Sequence, residues 1–199
     1  MKYKNLTVSQ KGLSLIESAM VLAISAVVVS GVLYYYNQAQ ENRKLEEGVK
    51  QIQTIAASVN KLYTNSTASP KTTNDDNKVT EAISAISGIP TKKVGRDTML
   101  STPSGQWVQY WSGDNNTYVL ETQVQSVSSC ISYATLNMGT IMAAKTKVLT
   151  GDTEHSNNGA SNNSTNFSLS PSVASNACEK AGNAKGNDRN IKIRYTLRY

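Results

Sequence analysis

The sequence predicts an α+β protein: a long N-terminal α-helix, membrane anchor first and scaffold second, packed on an antiparallel sheet. Short helices and one disulfide belong to its C-terminal region. Three observations carry this. Residues 13–36 are dominated by apolar side chains over 24 positions, enough to cross a bilayer. Helical periodicity continues past them to about Tyr63. Strand-like runs follow later and end in a strictly alternating C-terminus.

The apolar run holds a single charge, Glu17. A carboxylate within a bilayer costs at least roughly 2 to 3 kcal/mol unless something neutralises it, so Glu17 is a functional residue by default. Lys2, Lys4 and Lys11 precede the run with no acid among them, which keeps that end cytoplasmic and sends the body across the membrane. A secretory signal has an apolar core of about 7 to 15 residues followed by a small-residue cleavage site. Here the run is longer, no Ala-x-Ala follows it, and the small residue Gly12 comes before it. A cut at Gly12 removes a charged leader and leaves the helix on the protein.

Beyond Tyr36, the positions Leu45, Val49, Ile52, Ala56, Val59 and Tyr63 repeat at spacings of four and three, one face of a helix turned to the body. The whole helix would have about 50 residues and a length of about 75 Å. Gly31 and Gly48 weaken it, and close packing explains them better than a hinge. Tyr34, Tyr35 and Tyr36 form an interfacial aromatic belt.

Residues 64–77 are polar, contain Pro70 and lack periodicity, as in a surface loop. A short helix over 78–86 ends at Gly88 and Pro90. Strands over 106–111 and 118–125 flank the turn residues Ser112 to Thr117 and make a hairpin. Residues 128–138 suit a helix with Gly139 as its cap, and 151–166 a polar loop. Ser170-Pro171 opens a helix that ends near Gly182. In the last strand Ile191, Ile193, Tyr195, Leu197 and Tyr199 alternate with Lys192, Arg194, Thr196 and Arg198. Its basic face is either solvated or set against acids of a neighbouring subunit.

Composition excludes several classes. The net charge is +6, of which the three leading lysines supply half, so the remainder is too mildly basic for a nucleic-acid binder. No phosphate loop, dinucleotide fingerprint, nucleophile elbow or zinc-protease helix occurs. The sole histidine, His155, lies in a polar stretch and reads as solvated. Asp75-Asp76, Asp152 and Glu154 lack the register of a calcium loop. The sequence thus implies no enzyme, no cofactor and no metal site. Cys130 and Cys178, an even pair in an exported body, read as one disulfide, with two free thiols as the alternative.

Lys11-Gly12-Leu13-Ser14-Leu15-Ile16-Glu17-Ser18 followed by an apolar helix resembles the processing signature of type IV pilins. Leu13, rather than Phe, resembles the type IVb branch, bundlin-like and toxin-coregulated-pilin-like, and Cys130 to Thr140 resembles bundlin. The resemblance implies residues 1–12 as leader, 13–36 as transmembrane and filament-core helix and 37–199 as periplasmic domain. It implies cleavage between Gly12 and Leu13 by a prepilin peptidase, N-methylation of Leu13, and a last strand paired inside the sheet. Glu17 then pairs with the Leu13 α-amine of a neighbouring subunit and sets register. The function implied is major pilin, an inner-membrane precursor that polymerises into an extracellular helical filament for adhesion, aggregation or conjugative contact. Its machinery would be an assembly ATPase, an inner-membrane platform and a secretin. The alternatives are a minor pilin or secretion pseudopilin and, from another class, a single-pass anchored periplasmic binding protein.

Overall fold

A computed structural model describes residues 14–64, 76–156, 167–184 and 190–199. They fall into two units, one ending at Arg43 and the other starting at Lys44.

Helix α1, Leu15–Tyr63, runs through both as a single element of 49 residues, with no proline to interrupt its hydrogen bonds. In the second unit it buries Gly48, Ile52, Ile55, Ala56, Ser58 and Val59, one stripe at helical spacing. The expected Ile52, Ala56 and Val59 lie fully inside, while Leu45, Val49 and Tyr63 pack at the border. Ile55, which the four-and-three spacing skips, is also completely buried.

Helix α2 spans Asp76–Ser87 and is followed by Gly88 at φ +72°. It starts two residues before the expected helix, taking Asp76 and Asn77 out of the anticipated loop, whose residues 65–75 lie outside the described set. Asp76 accepts from the Ser112 amide and hydroxyl at 3.2 Å each, and Asn77 accepts from the Thr98 amide at 2.7 Å. These long-range bonds give both residues a helical role that local composition does not show.

Strands β1 (Thr91–Val94), β2 (Asp97–Ser101), β3 (Trp107–Ser112) and β4 (Thr117–Val124) form an antiparallel meander. The β3–β4 hairpin is the expected one, and its turn holds Asn115 and Asn116 at φ +54° and +56°, a conformation asparagine tolerates. Helix α3, Val127–Ala134, is N-capped by the Ser126 side chain, which accepts from the Ser129 amide. It stops four residues short of the expected Met138. Thr135 caps it, and Gly139, at φ +65°, opens a single 3-10 turn instead. Strands β5 (Lys147–Thr150) and β6 (Thr153–Glu154) follow, β6 replacing part of the anticipated loop; residues 157–166 of that loop are not described. Helix α4 (Pro171–Asn183) begins at the Ser-Pro signal, and β7 (Ile191–Arg198) carries the alternation.

The sheet order is β1-β2-β3-β4-β7-β5-β6, with every pair antiparallel. The last strand therefore pairs inside the sheet, between β4 and β5. Its apolar face, Ile191, Ile193, Tyr195 and Leu197, joins Ile52, Ile55, Leu120 and Tyr118 in one core. On the opposite face the acid that meets the cations belongs to this chain. Glu121, only 3% exposed, sits opposite Arg194 in register and accepts from its Nε at 2.8 Å, with Nη2 at 2.7 Å and Lys192 Nζ at 4.0 Å. Arg194 also lies over the Trp111 ring, 5.2 Å from its centroid.

Candidate assembly interface

The first unit presents the reverse of a core. Every residue from Ser14 to Gln38 is exposed, including Leu15, Ile16, Met20, Val21, Leu22, Ile24, Val27 and Val28. An aqueous solvent would not leave so much apolar surface uncovered; lipid or other helices must supply the partner. Within this stretch the serine side chains turn to the backbone. The Ser25 and Ser30 hydroxyls donate to the Val21 and Ala26 carbonyls at 2.7 Å, and Ser18 to Ser14 at 3.4 Å. Such bonds remove hydroxyl groups from competition with an apolar surrounding.

At the start of α1, the Ser14 amide donates to Glu17 Oε2 at 2.9 Å, and the Glu17 amide donates to Ser14 Oγ at 3.4 Å. This reciprocal pair is a capping box, which satisfies two of the N–H groups that open a helix. Ser-x-x-Glu before an apolar run is its sequence signature, so the signal was present at Ser14 and Glu17. Gly12 and Leu13 lie outside the described residues.

In the second unit, Cys130 and Cys178 form a disulfide with a Cα–Cα distance of 5.8 Å, tying α3 to α4. Both are fully buried. Tyr195 donates its hydroxyl to the Tyr133 carbonyl at 2.7 Å, fastening α3 to β7. Burial pushes the Tyr133 phenol up to about 12 and raises Tyr110, Tyr118 and Tyr195 as well. The ring of Tyr63 at the end of α1 packs against Tyr199 at a tilt of 31°, with centroids 4.7 Å apart.

The remaining polar candidates serve the sheet. Glu154 pairs with Lys147 at 3.1 Å and accepts from Ser156 at 3.0 Å. His155 donates its amide to the Val148 carbonyl at 2.8 Å, which continues the β5–β6 pairing rather than leaving a solvated loop. Among the described residues no three His, Cys, Asp or Glu side chains gather as metal ligands.

A helix with an uncovered apolar half, together with a head in which a disulfide-tied helix pair packs on an antiparallel sheet, defines a pilin. The family model described as Bundlin matches residues 37–198. The chain belongs to the bundlin family. It is 29% identical over 194 residues to the major structural subunit of bundle-forming pilus of Escherichia coli O127:H6 (strain E2348/69 / EPEC), covering 95% of both chains. The subunit of the same description from Escherichia coli O111:H- is 30% identical over 196 residues, again covering 95% of both. A crystal structure of a type IV b pilin from Salmonella typhi shares the fold, with a TM-score of 0.50 at 16% identity, covering 76% of this chain and 97% of that one.

Proposed function

We propose that this bundlin-family pilin, a structural subunit of a pilus, is cut between Gly12 and Leu13 and polymerises by packing residues 13–36 in a filament core. The observation that carries the reading is a lone Glu17 at the head of a segment with no buried residue of its own. A precursor held in the inner membrane by this helix exchanges lipid for neighbouring helices as it enters the fibre.

Glu17 sets the register of that exchange. Its Oε2 engages the Ser14 amide of its own chain. The carboxylate as a whole attracts the α-ammonium of Leu13 on the next subunit, which cleavage creates and N-methylation leaves charged. A misregistered neighbour leaves a buried charge unpaired, which is strongly unfavourable in a dry environment. Membership of the bundlin family supports the machinery that this reading requires. A prepilin peptidase makes the cut, an assembly ATPase and an inner-membrane platform drive polymerisation, and a secretin passes the filament outward. The filament then serves adhesion, aggregation or conjugative contact, where repetition along the fibre makes weak single contacts sufficient.

The test is the N-terminus and mass of protein recovered from sheared surface material. A chain starting at Leu13, with or without one methyl group and lacking two hydrogens at Cys130 and Cys178, is expected. An uncut chain confined to the membrane fraction supports an anchored periplasmic binding protein instead. Scarcity of a cut chain in the fibres supports a minor pilin or pseudopilin. Glu17→Gln should be cleaved as wild type is, yet yield about a hundredfold fewer filaments, because loss of one buried partner costs on the order of 3 kcal/mol. Wild-type filament yield from Glu17→Gln removes the register role.

A further inference from the structure

Glycine in a helix interior is disfavoured relative to alanine, so each one needs a cause. Helix α1 holds two, and they differ. A Cβ added at Gly31 would meet nothing within 4 Å, whereas one at Gly48 would run into the hydroxyl of Tyr133 and lie 3.3 Å from its Cζ. Read from the N-terminus, Gly48 is also the first buried residue of α1, just inside the unit that starts at Lys44.

Tyr133 has little freedom to withdraw. It is 5% exposed and lies one turn after Cys130, whose disulfide holds α3 to α4. Its carbonyl accepts from the Tyr195 hydroxyl at 2.7 Å, so α3 is held to α4 at Cys130 and to β7 at its C-terminal end. A ring carried on such a support acts as a fixed object, and the helix that meets it must offer a gap. A helix without a side chain at that one position can approach closely there, and a slip by a residue or a turn would drive Glu47, Val49 or Lys44 into the ring.

We infer that Gly48 and Tyr133 form a notch and a stop that fix where the head grips the assembly helix, making Tyr133 a positioning residue for filament assembly. The inference rests on the reading of this chain as a polymerising pilin. In a filament joined through α1, the place at which each head is seated on its own helix sets which surfaces of neighbouring heads meet. Gly48 and Tyr133 act through α1 and need no contact with the neighbouring subunit.

The test compares the full-length chain, Gly48→Ala, Tyr133→Phe and the double variant by two readouts. One is hydrogen exchange of the amides over residues 44–52 in detergent-solubilised protein; the other is filament yield at matched protein level and disulfide content. Gly48→Ala should speed exchange over 44–52 about tenfold or more while β4 and β7 keep their protection, because overpacking is relieved by local lifting of the helix. Filament yield should fall in parallel. Tyr133→Phe alone should resemble wild type in both readouts. In the double variant the colliding oxygen is gone, so exchange and filament yield should both return towards wild type.

Wild-type behaviour of Gly48→Ala overturns the inference, as does a defect the double variant does not relieve. Protection lost equally in β4 and β7 reduces the contact to ordinary core packing. Exchange restored without restored filaments removes the assembly role. If wild type itself forms no filaments the pilin reading fails, while exchange over 44–52 still decides whether the notch exists.

Discussion

The two halves of α1 share one backbone helix and differ in what their side chains bury. From Ser14 to Gln38 every position is exposed and the apolar residues surround the axis; from Gly48 to Val59 a single stripe is buried, with Val49 at its border, and the other positions are polar or small. A helix apolar all round must find its partners outside its own subunit, while an amphipathic helix has one face to satisfy and finds it in its own sheet. The first half is therefore completed only by surroundings that the subunit alone does not contain, lipid or other helices, and the second by the fold. The charges follow the same division. Among the described residues, Glu17 bonds to its own helix end. Glu121 is locked between β4 and β7 by Arg194.

Alkali should break this comparison most completely. Burial raises Tyr133 from its ordinary 10 to about 12 and also lifts Tyr110, Tyr118 and Tyr195, so the folded head holds phenols that the unfolded chain would ionise near pH 10. Their contribution to stability is complete below pH 10 and is lost as pH rises through 12. The head should unfold cooperatively with a late rise in phenolate absorbance, while the apolar half of α1 stays helical in detergent. A smooth rise centred near pH 10 with the sheet signal intact would show that these rings are not buried.

Removing the disulfide acts on the same side of the comparison with a smaller effect. Cys130 and Cys178 are separated by 48 positions, and on the chain-entropy account closing such a loop contributes about 4 kcal/mol. Cys130→Ser with Cys178→Ser should lower the head's unfolding free energy by about that amount and leave helix content over 14–36 unchanged. A drop in both signals would mean that the halves of α1 fold as one unit.

Much of this division was legible in the sequence, because periodicity is local. The four-and-three repeat up to Tyr63, the Asn-rich hairpin turn and the two-residue repeat of β7 each follow from spacing alone. Strands β1 and β5 gave no such signal. Thr91, Lys92 and Lys93 are exposed on an edge, so nothing makes them alternate, and Val148, Leu149 and Thr150 are too short a buried run to distinguish strand from helix. The basic face of β7 was legible as a pattern but its partner was not, since Glu121 lies 73 residues away and only register brings it opposite Arg194. Gly48 showed that something packs closely there, and only the fold identifies Tyr133.

The mildest change sharpens the comparison most directly, by making the same kind of cut in each half of α1. Ile55→Ala removes methyl groups from a completely buried site facing the sheet, where the transfer and cavity terms together cost about 2 to 5 kcal/mol. Val28→Ala removes methyl groups from a position 58% exposed, outside the buried core of the subunit. Isolated subunits in detergent should therefore show a clear loss of head stability for Ile55→Ala and none for Val28→Ala. In filaments the ranking should change, because Val28 acquires neighbours there: assembled material carrying Val28→Ala should dissociate at lower temperature than wild type. Equal melting of wild-type and Val28→Ala filaments would mean that this face of α1 remains against lipid or solvent in the fibre, and the apolar half would then be an anchor without being a core.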